Sequence, residues 1–361
     1  MMPAHSPERP KRNSIAGSFR AWLVIALSIA SMATSTLAES IVLDPGGESI
    51  IETGSPVSSA SLASPASIEG LAAEDRVWLL SVRHLDSDAC HVRLPARPQV
   101  YRLDCRGCKT PSSIDEYFES LDPERPVAFY VHGNRYTAKD AVERGLFTFR
   151  NTRHQARPVD WVIWSWPSDR VGVLGYDVRT KAKRCDGQGL LLADVLREHV
   201  MRQVPTTLVG FSFGGRVITG AMHALAGGSL GGRRLPPPHY YGSGFDVGLI
   251  APAIEQNWLT ERGYHRLATQ NINRATVLYN QRDAILKRYW LIERVRGQMA
   301  LGYSGPTRFA ARYDGTPLPV VSRDCSAIVG LEHDELDYYN SRCRAGSAIG
   351  QLIDETASRR N

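Results

Sequence analysis

Short apolar runs that alternate with segments of helical spacing constrain the fold of this chain more than any other feature of its sequence. The runs show no regular apolar–polar alternation, which is typical of strands covered on both faces. Strands separated by helices favour a parallel sheet with right-handed crossovers. The predicted strands are 127–131, 161–166, 206–210, 245–250 and 275–279, and the predicted helices are 138–150, 190–201 and 215–226.

Two further apolar runs, 76–82 and 99–103, precede the alternating region and predict an antiparallel hairpin at one edge of the sheet. With 361 residues, 43% of them hydrophobic, the chain can form one large domain plus extra segments. We therefore expect a three-layer α/β sandwich over residues 76–361, with a mostly parallel central sheet and an antiparallel N-terminal edge.

The first 75 residues predict segments outside that domain. Basic residues precede an apolar run at 21–33, and Thr36 and Ala38 supply the small residues of a signal-peptidase site. The run is shorter than the roughly 20 apolar residues that a membrane-spanning helix needs. Residues 1–38 therefore predict a signal peptide and an exported, periplasmic or secreted protein. An uncleaved inner-membrane anchor formed by residues 21–38 is the alternative. Residues 39–75, rich in Ser, Ala, Pro and Gly, predict a flexible tether.

The net charge of +6 does not indicate nucleic-acid binding. Lys and Arg are scattered along the chain and form no single stripe, and part of the excess lies in the segment that is predicted to be removed. We interpret the charge as a mildly basic surface.

Six cysteines fit an oxidising compartment and predict that at least two of them pair. Cys105 and Cys108 have the spacing of a zinc or redox motif. A zinc site would need a second such pair, however, and a thioredoxin-like motif would lie at the start of a helix rather than in a polar loop. We expect structural bridges and no metal site. The cysteines are Cys90, Cys105, Cys108, Cys185, Cys325 and Cys343.

Gly210, Ser212 and Gly214 form a G-x-S-x-G pattern between a predicted buried strand and a predicted helix. The pentapeptide alone is weak evidence, but this context is what a nucleophile elbow requires. Such a turn points backbone N–H groups and a helix N-terminus at the space above the serine oxygen. A glycine-rich turn without catalytic function is the alternative. The glycine spacing does not fit a dinucleotide fingerprint.

A nucleophilic serine needs a base, and the base needs an orienting acid. On this type of turn they follow in the order serine, acid, histidine. Of the histidines after Ser212, only His333 lies beyond every predicted strand. His223 lies on the helix directly after the motif, His239 lies in a proline-rich loop, and His265 precedes the last of the five strands. We therefore expect His333 to be the base.

Asp283 follows the strand at 275–279, and a carboxylate at the end of a central parallel strand points into the crevice where such sites form. We expect Asp283 to be the acid. Glu255, after the preceding strand, is the alternative. Asp334, next to His333, is expected to cap a helix.

The segment His132-Gly133-Asn134-Arg135 follows the strand at 127–131 and resembles the oxyanion-hole turn of lipases and esterases. We expect backbone N–H groups of Asn134 and Phe213 to bind the developing oxyanion. His132 precedes the nucleophile in the chain and is therefore expected to be structural.

Over roughly residues 77–358 the sequence resembles the α/β-hydrolase superfamily, and within it a bacterial serine-hydrolase branch described as a domain of unknown function. The closer likeness is carried by the segments 129–134, 164–168, 176–177, 210–214 and 251–253. The resemblance implies the triad Ser212, Asp283 and His333, without a cofactor or a metal ion. The N-terminal tether and the cysteines depart from this pattern, and the resemblance implies no particular substrate.

These residues predict a serine hydrolase that cleaves a carboxylic ester or thioester of a small-molecule acyl substrate through an acyl-enzyme on Ser212. An acyltransferase that uses the same triad is one alternative. The other is an inactive hydrolase fold that serves as a binding protein of the cell envelope.

Overall fold

A sheet of nine strands lies at the centre of the computed structural model, which describes residues 75–104, 106–153, 158–293 and 297–359. The predicted export segment and nearly all of the tether lie outside these residues. The spatial order is β3-β2-β1-β5-β4-β6-β7-β8-β9. The strands are β1 Arg76–Ser81, β2 Gln99–Leu103, β3 Lys109–Ser112, β4 Val127–Val131, β5 Asp160–Ser165, β6 Thr206–Phe211, β7 Phe245–Ile250, β8 Ile272–Tyr279 and β9 Val320–Asp324. β2 pairs antiparallel with β1 and with β3, and the remaining neighbours are parallel.

The helices of the described residues are α1 Ile114–Glu119, α2 Ala138–Thr152, α3 Leu174–Met201, α4 Phe213–Leu225, α5 Trp290–Glu293, α6 Leu301–Ser304, α7 Ser326–Val329, α8 Glu335–Tyr338 and α9 Ala345–Ser358. Two 3-10 turns, Ala268–Gln270 and Leu286–Arg288, complete the connections. Within these same residues, none of the helices is both long and apolar enough to cross a membrane.

Side chains of β5 show how the long helices form two layers. Trp161 donates its Nε1–H to the carbonyl of Gly145 on α2 at 3.1 Å. Trp164, on the opposite side of the pleat, donates to Gln188 on α3 at 3.2 Å. α2 packs with α9, and α3 packs with α4. The predicted three-layer sandwich with an antiparallel N-terminal edge is therefore confirmed.

Two of the differences from the sequence prediction have a clear physical reason. α3 begins at Leu174, well before the predicted start at residue 190. Its first half was not predicted because the buried face there carries an ion pair instead of an apolar stripe. Asp177 and Lys181 are both fully buried and lie 3.0 Å apart. β3 was not predicted because it is a short, exposed, polar edge strand that contains Pro111.

The strand order reverses at β4. From β4 the chain crosses to β5 on one side and then returns to β6 on the other, so β4 pairs with both. In open parallel sheets, ligands bind in the crevice outside the carboxyl ends of the strands at such a point. The turns after β4 and β6 therefore meet where a ligand site is expected.

Candidate active site

Ser212 lies in the tight turn between β6 and α4, with φ 52° and ψ −117°. This backbone region is strained for residues other than glycine and persists only where its surroundings enforce it. The Ser212 N–H donates to the carbonyl of Ile250 at 2.9 Å, and the Ser212 carbonyl accepts from the N–H of Ala253 at 3.1 Å. The end of β7 thus holds the turn from both sides.

The flanking glycines are needed because backbone segments pass very close to them. A Cβ at Gly214 would lie 1.9 Å from the carbonyl oxygen of Val131 on β4. A Cβ at Gly210 would lie 2.7 Å from the backbone of Gly214. The structure therefore has the local geometry of a nucleophile elbow.

Three side chains singled out in the sequence form a continuous row of hydrogen bonds. Ser212 Oγ lies 2.9 Å from His333 Nε2, and His333 Nδ1 lies 2.6 Å from Asp283 Oδ2. The Asp283 carboxyl is fully buried, whereas 12% of the His333 side chain is exposed. The ring of Phe211 stacks on the imidazole, with centroids 5.1 Å apart. This is the arrangement that a serine nucleophile, a general base and an orienting acid require.

Hydrogen bonds at the end of β8 orient the acid and hold the segment that carries the base. Oδ1 of Asp283 accepts from the backbone N–H groups two and three residues ahead, at 2.9 and 2.8 Å, which leaves Oδ2 to His333. The side chain of Asn280 donates to the carbonyl of Gly330 at 2.8 Å. The loop before His333 is therefore fastened directly to the turn that presents Asp283.

A disulfide bond between Cys325 and Cys343, which are 18 positions apart, encloses the segment that contains His333. This bond confirms the prediction that at least two of the six cysteines pair. Cys90, Cys108 and Cys185 are free thiols, and Cys105 lies outside the described residues. Burial raises the pKa of the Cys185 thiol to about 12.

His132 is fully buried between two aromatic rings, with ring centroids 5.6 Å from Trp166 and 5.5 Å from Tyr136. Its Nδ1 donates to the carbonyl of Gly133 at 2.9 Å, and its Nε2 accepts from the N–H of Trp166 at 3.2 Å. Burial lowers the pKa of His132 to about 3, so the ring is neutral near pH 7. These contacts support the structural role expected for this histidine.

The turn after β4 lies against the elbow. A Cβ at Gly133 would lie 3.3 Å from the Cβ of Ser212. In the same turn, Arg135 has a φ of 63°, and its N–H donates to the carbonyl of Ser168 at 2.8 Å. Phe213 is the first residue of α4, so its N–H is one of the amides without an intrahelical acceptor. Asn134 and Phe213 thus occupy the two segments from which oxyanion donors were expected.

A buried ion-pair cluster connects this turn to α3. The Asp177 carboxylate accepts from Lys181 at 3.0 Å, from Arg135 at 3.1 Å and from the N–H of Val171 at 2.7 Å. Burial opposes ionisation of Asp177, but these hydrogen bonds outweigh it and lower the carboxyl pKa. The loop after β5 is therefore fixed beside the site.

Comparison with known proteins gives only weak likenesses. No family model and no curated protein matches the chain. Propionate-bound esterase Est2 from the planctomycete Thermogutta terrifontis is 12% identical over 65% of this chain and 84% of its own, with a TM-score of 0.31. Phosphonate-inhibited esterase B from Lactobacillus rhamnosis is 11% identical over 81% of this chain and 89% of its own, with a TM-score of 0.36.

The sheet order, the elbow and the chain order of serine, acid and histidine decide the fold assignment. The fold is that of an α/β-hydrolase.

The two other acidic residues considered in the sequence analysis, Asp334 and Glu255, have other contacts. Asp334 caps α8, as predicted, and accepts from the N–H of Leu336 at 3.1 Å. Glu255 pairs through its backbone with Ala300 in an isolated β-bridge, and Nδ1 of His333 bonds to Asp283.

The three other histidines that follow Ser212 bond elsewhere. His223 accepts from the N–H of Leu267 at 3.2 Å. His265 bonds to Thr219 at 2.9 Å, and His239 donates to the carbonyl of Leu235 at 3.2 Å.

No motif indicated Glu335, which is fully buried two positions after His333. A glutamate at a helix start is ordinarily exposed, so the sequence contained no signal for its burial.

A cavity of about 360 Å³ lies at the opposite end of the sheet from the triad. Its lining includes Thr206 and Phe245, which begin β6 and β7. Since Ser212 follows the carboxyl end of β6, this cavity is not part of the candidate active site.

Proposed function

We propose that this protein is a serine hydrolase that cleaves a carboxylic ester or thioester through an acyl-enzyme on Ser212. One observation carries the proposal: Ser212, His333 and Asp283 form one row of hydrogen bonds that starts at a strained elbow. A glycine-rich turn without catalytic function would not need a buried carboxylate aligned behind a histidine.

In the proposed reaction, Ser212 Oγ attacks the acyl carbon while Nε2 of His333 takes its proton. Asp283 stabilises the resulting imidazolium and keeps its own negative charge. The imidazolium then protonates the leaving alcohol or thiol, and the acyl group remains on Ser212. A water molecule, deprotonated by the same imidazole, attacks this ester, releases the carboxylic acid and restores the serine.

Charge that develops on the acyl oxygen needs donors that are already in place. We assign this role to the backbone N–H groups of Phe213 and Asn134. The N-terminus of α4 adds the positive end of a helix dipole beside Ser212. Removal of one such donor typically costs about 100- to 1,000-fold in kcat.

A fluorophosphonate probe combined with short-chain p-nitrophenyl esters tests the proposal. We expect stoichiometric labelling and hydrolysis in the wild type and neither in Ser212→Ala. An inactive binding protein would give no labelling in either. An acyltransferase would label as well, but its turnover would rise with an added alcohol and yield the transferred ester. The absence of labelling in folded wild-type protein would refute the proposal.

We further infer that residues 1–38 direct export and that the mature chain begins at Glu39. The disulfide bond between Cys325 and Cys343 supports this inference, because such bonds persist in oxidising compartments. Cell fractionation and N-terminal sequencing of the mature protein test it. An intact N-terminus in the membrane fraction would instead indicate an uncleaved anchor.

A further inference from the structure

Glu335 is a fully buried carboxyl group on which three hydroxyl groups converge. The Tyr130 hydroxyl lies 2.7 Å from Oε2, the Tyr136 hydroxyl lies 3.2 Å from the same oxygen, and Oγ1 of Thr148 lies 3.4 Å from Oε1. An ionised carboxylate only accepts hydrogen bonds, so it satisfies all three donors at once. The arrangement is therefore complete when Glu335 is charged.

The three hydroxyls belong to elements that form the opposite half of the candidate site. Tyr130 lies on β4, directly before residues 132–135, which we call the oxyanion turn, and Thr148 lies on α2, which begins at Ala138. Tyr136 directly follows the turn, with its ring stacked on His132. Glu335 begins α8, in the disulfide-enclosed segment that contains His333. One carboxyl group thus connects the base to the oxyanion turn.

We propose that Glu335 is a positioning residue that fixes His333 relative to the backbone donors of the oxyanion turn. It bonds to none of the three triad side chains and acts through the two segments that it joins. The inference rests on the proposed function, since it assigns His333 the role of base. No motif in the sequence marks this residue.

The surroundings of Glu335 make its charge depend on pH near neutrality. Burial raises its pKa to about 7, against the hydrogen bonds from the hydroxyls and the nearby Arg144 guanidinium, which favour the charged form. Arg144 on α2 also pairs with Asp334 at 3.3 Å, and burial together with the negative charge of Glu335 raises the pKa of Tyr339 in the same segment. A proton on Glu335 turns one acceptor site into a donor, so one hydroxyl must reorient. We expect the connection to loosen as the pH falls through neutrality.

Two substitutions separate the shape of Glu335 from its charge. Glu335→Leu removes every acceptor and should lower kcat about 100-fold with little change in KM, because small misplacements of catalytic groups have effects of this size. Glu335→Gln keeps an acceptor oxygen and should restore most of the activity. Because the amide does not titrate, the acid limb of its kcat profile should be less steep than in the wild type.

Asp246→Asn is the matched control. Asp246 is also a fully buried carboxylate, but it lies at the start of β7, away from the triad, and pairs with Arg274 at 3.0 Å. We expect this variant to lose stability while its kcat and pH profile stay unchanged. If Glu335→Leu does not fold, Tyr130→Phe provides the same comparison, because it removes the closest hydroxyl from Glu335.

The outcomes distinguish this inference from the proposed function. Wild-type turnover and an unchanged pH profile in the folded Glu335 variants, beside an active wild type, would show that Glu335 does not position the site. A wild type that neither hydrolyses esters nor reacts with a fluorophosphonate would instead refute the proposed function. In that case, nitrogen NMR of the His333 imidazole in the wild type and in Glu335→Leu tests whether Glu335 positions His333. Shifted imidazole signals in the variant would support the positioning role, and unchanged signals would contradict it.

Discussion

Oδ2 of Asp283 lies 2.6 Å from Nδ1 of His333, and the two residues follow adjacent parallel strands, β8 and β9. The carboxyl ends of neighbouring parallel strands meet at the same edge of the sheet, so the acid approaches the imidazole from the side opposite Ser212. Glu255 follows β7, one strand closer to the nucleophile. The choice between these two acids can therefore be tested by substitution.

We expect Asp283→Asn to lower kcat by about 10,000-fold, because the imidazole would then take the wrong tautomer. Glu255→Gln should stay near the wild-type rate. Both variants are measured on one ester substrate, with the fold checked by circular dichroism. If Glu255→Gln were inactive and Asp283→Asn active, the acid would be Glu255, which lies one strand away from our assignment.

Removal of the disulfide bond should affect both stability and catalysis. Replacement of Cys325 and Cys343 by serine opens the loop that encloses His333, and chain entropy alone predicts a loss of about 3 kcal/mol in the free energy of unfolding. We also expect a lower kcat, since the base is held less firmly. Urea denaturation and ester kinetics measure the two effects. Cys90→Ser, at an exposed free thiol, serves as the control and should change neither.

Gly214→Ala should disrupt the elbow, because the new Cβ would collide with the carbonyl of Val131. We expect a loss of roughly 3 kcal/mol in stability, the upper range for overpacking, together with a large loss of fluorophosphonate labelling. Gly220→Ala, on the same helix, would meet only ordinary contacts at 3.4 Å and beyond. That variant should be neutral or gain up to about 1 kcal/mol in helix propensity. Equal free energies of unfolding for Gly214→Ala and Gly220→Ala would contradict the expected clash with Val131.

Buried histidines should make the protein sensitive to acid. Burial lowers the pKa of His132 and His199 to about 3 and that of His223 to about 4. Below the ordinary pKa the unfolded chain binds protons that the folded protein does not, so the free energy of unfolding falls as the pH falls. Each such histidine contributes a slope of about 1.4 kcal/mol per pH unit. Glu335 acts in the opposite sense on the free energy of unfolding, because burial penalises its charged form more than the three hydroxyl groups favour it. Its contribution to stability is therefore lost as the pH rises through about 7, although the hydrogen bonds that position the site are complete only in the charged form.

His199→Gln tests this acid sensitivity. Glutamine can still bond to Tyr117 and Thr206, the present partners of His199, but it does not titrate. Urea denaturation at neutral and mildly acidic pH should show a shallower dependence in the variant. An unchanged slope would mean that His199 does not contribute to acid unfolding.

The elbow could be predicted because its strand, turn and helix are contiguous in the sequence, and each has a clear local pattern. His333 and Asp283 could be chosen because chain order on this fold excludes most competitors. Glu335 and the Asp177–Lys181 pair could not be predicted. Their burial depends on partners far away in the chain, and hydrophobic periodicity treats a buried charge as a surface residue.

The loop after β5 has two parts that differ in how freely their residues can change, because only one of them is bonded to His132. The near part, through Trp166 and Ser168, is bonded to His132 and to the N–H of Arg135, so a change there would move the oxyanion turn. The far part is exposed at Val173, where 76% of the residue is accessible to solvent. We expect substitution of this exposed side chain to leave the turn in place, because the far part is bonded to Asp177 through backbone groups of Val171 and Val173. Sequence changes at this exposed end of the loop can therefore accumulate without disturbing the turn beside Ser212.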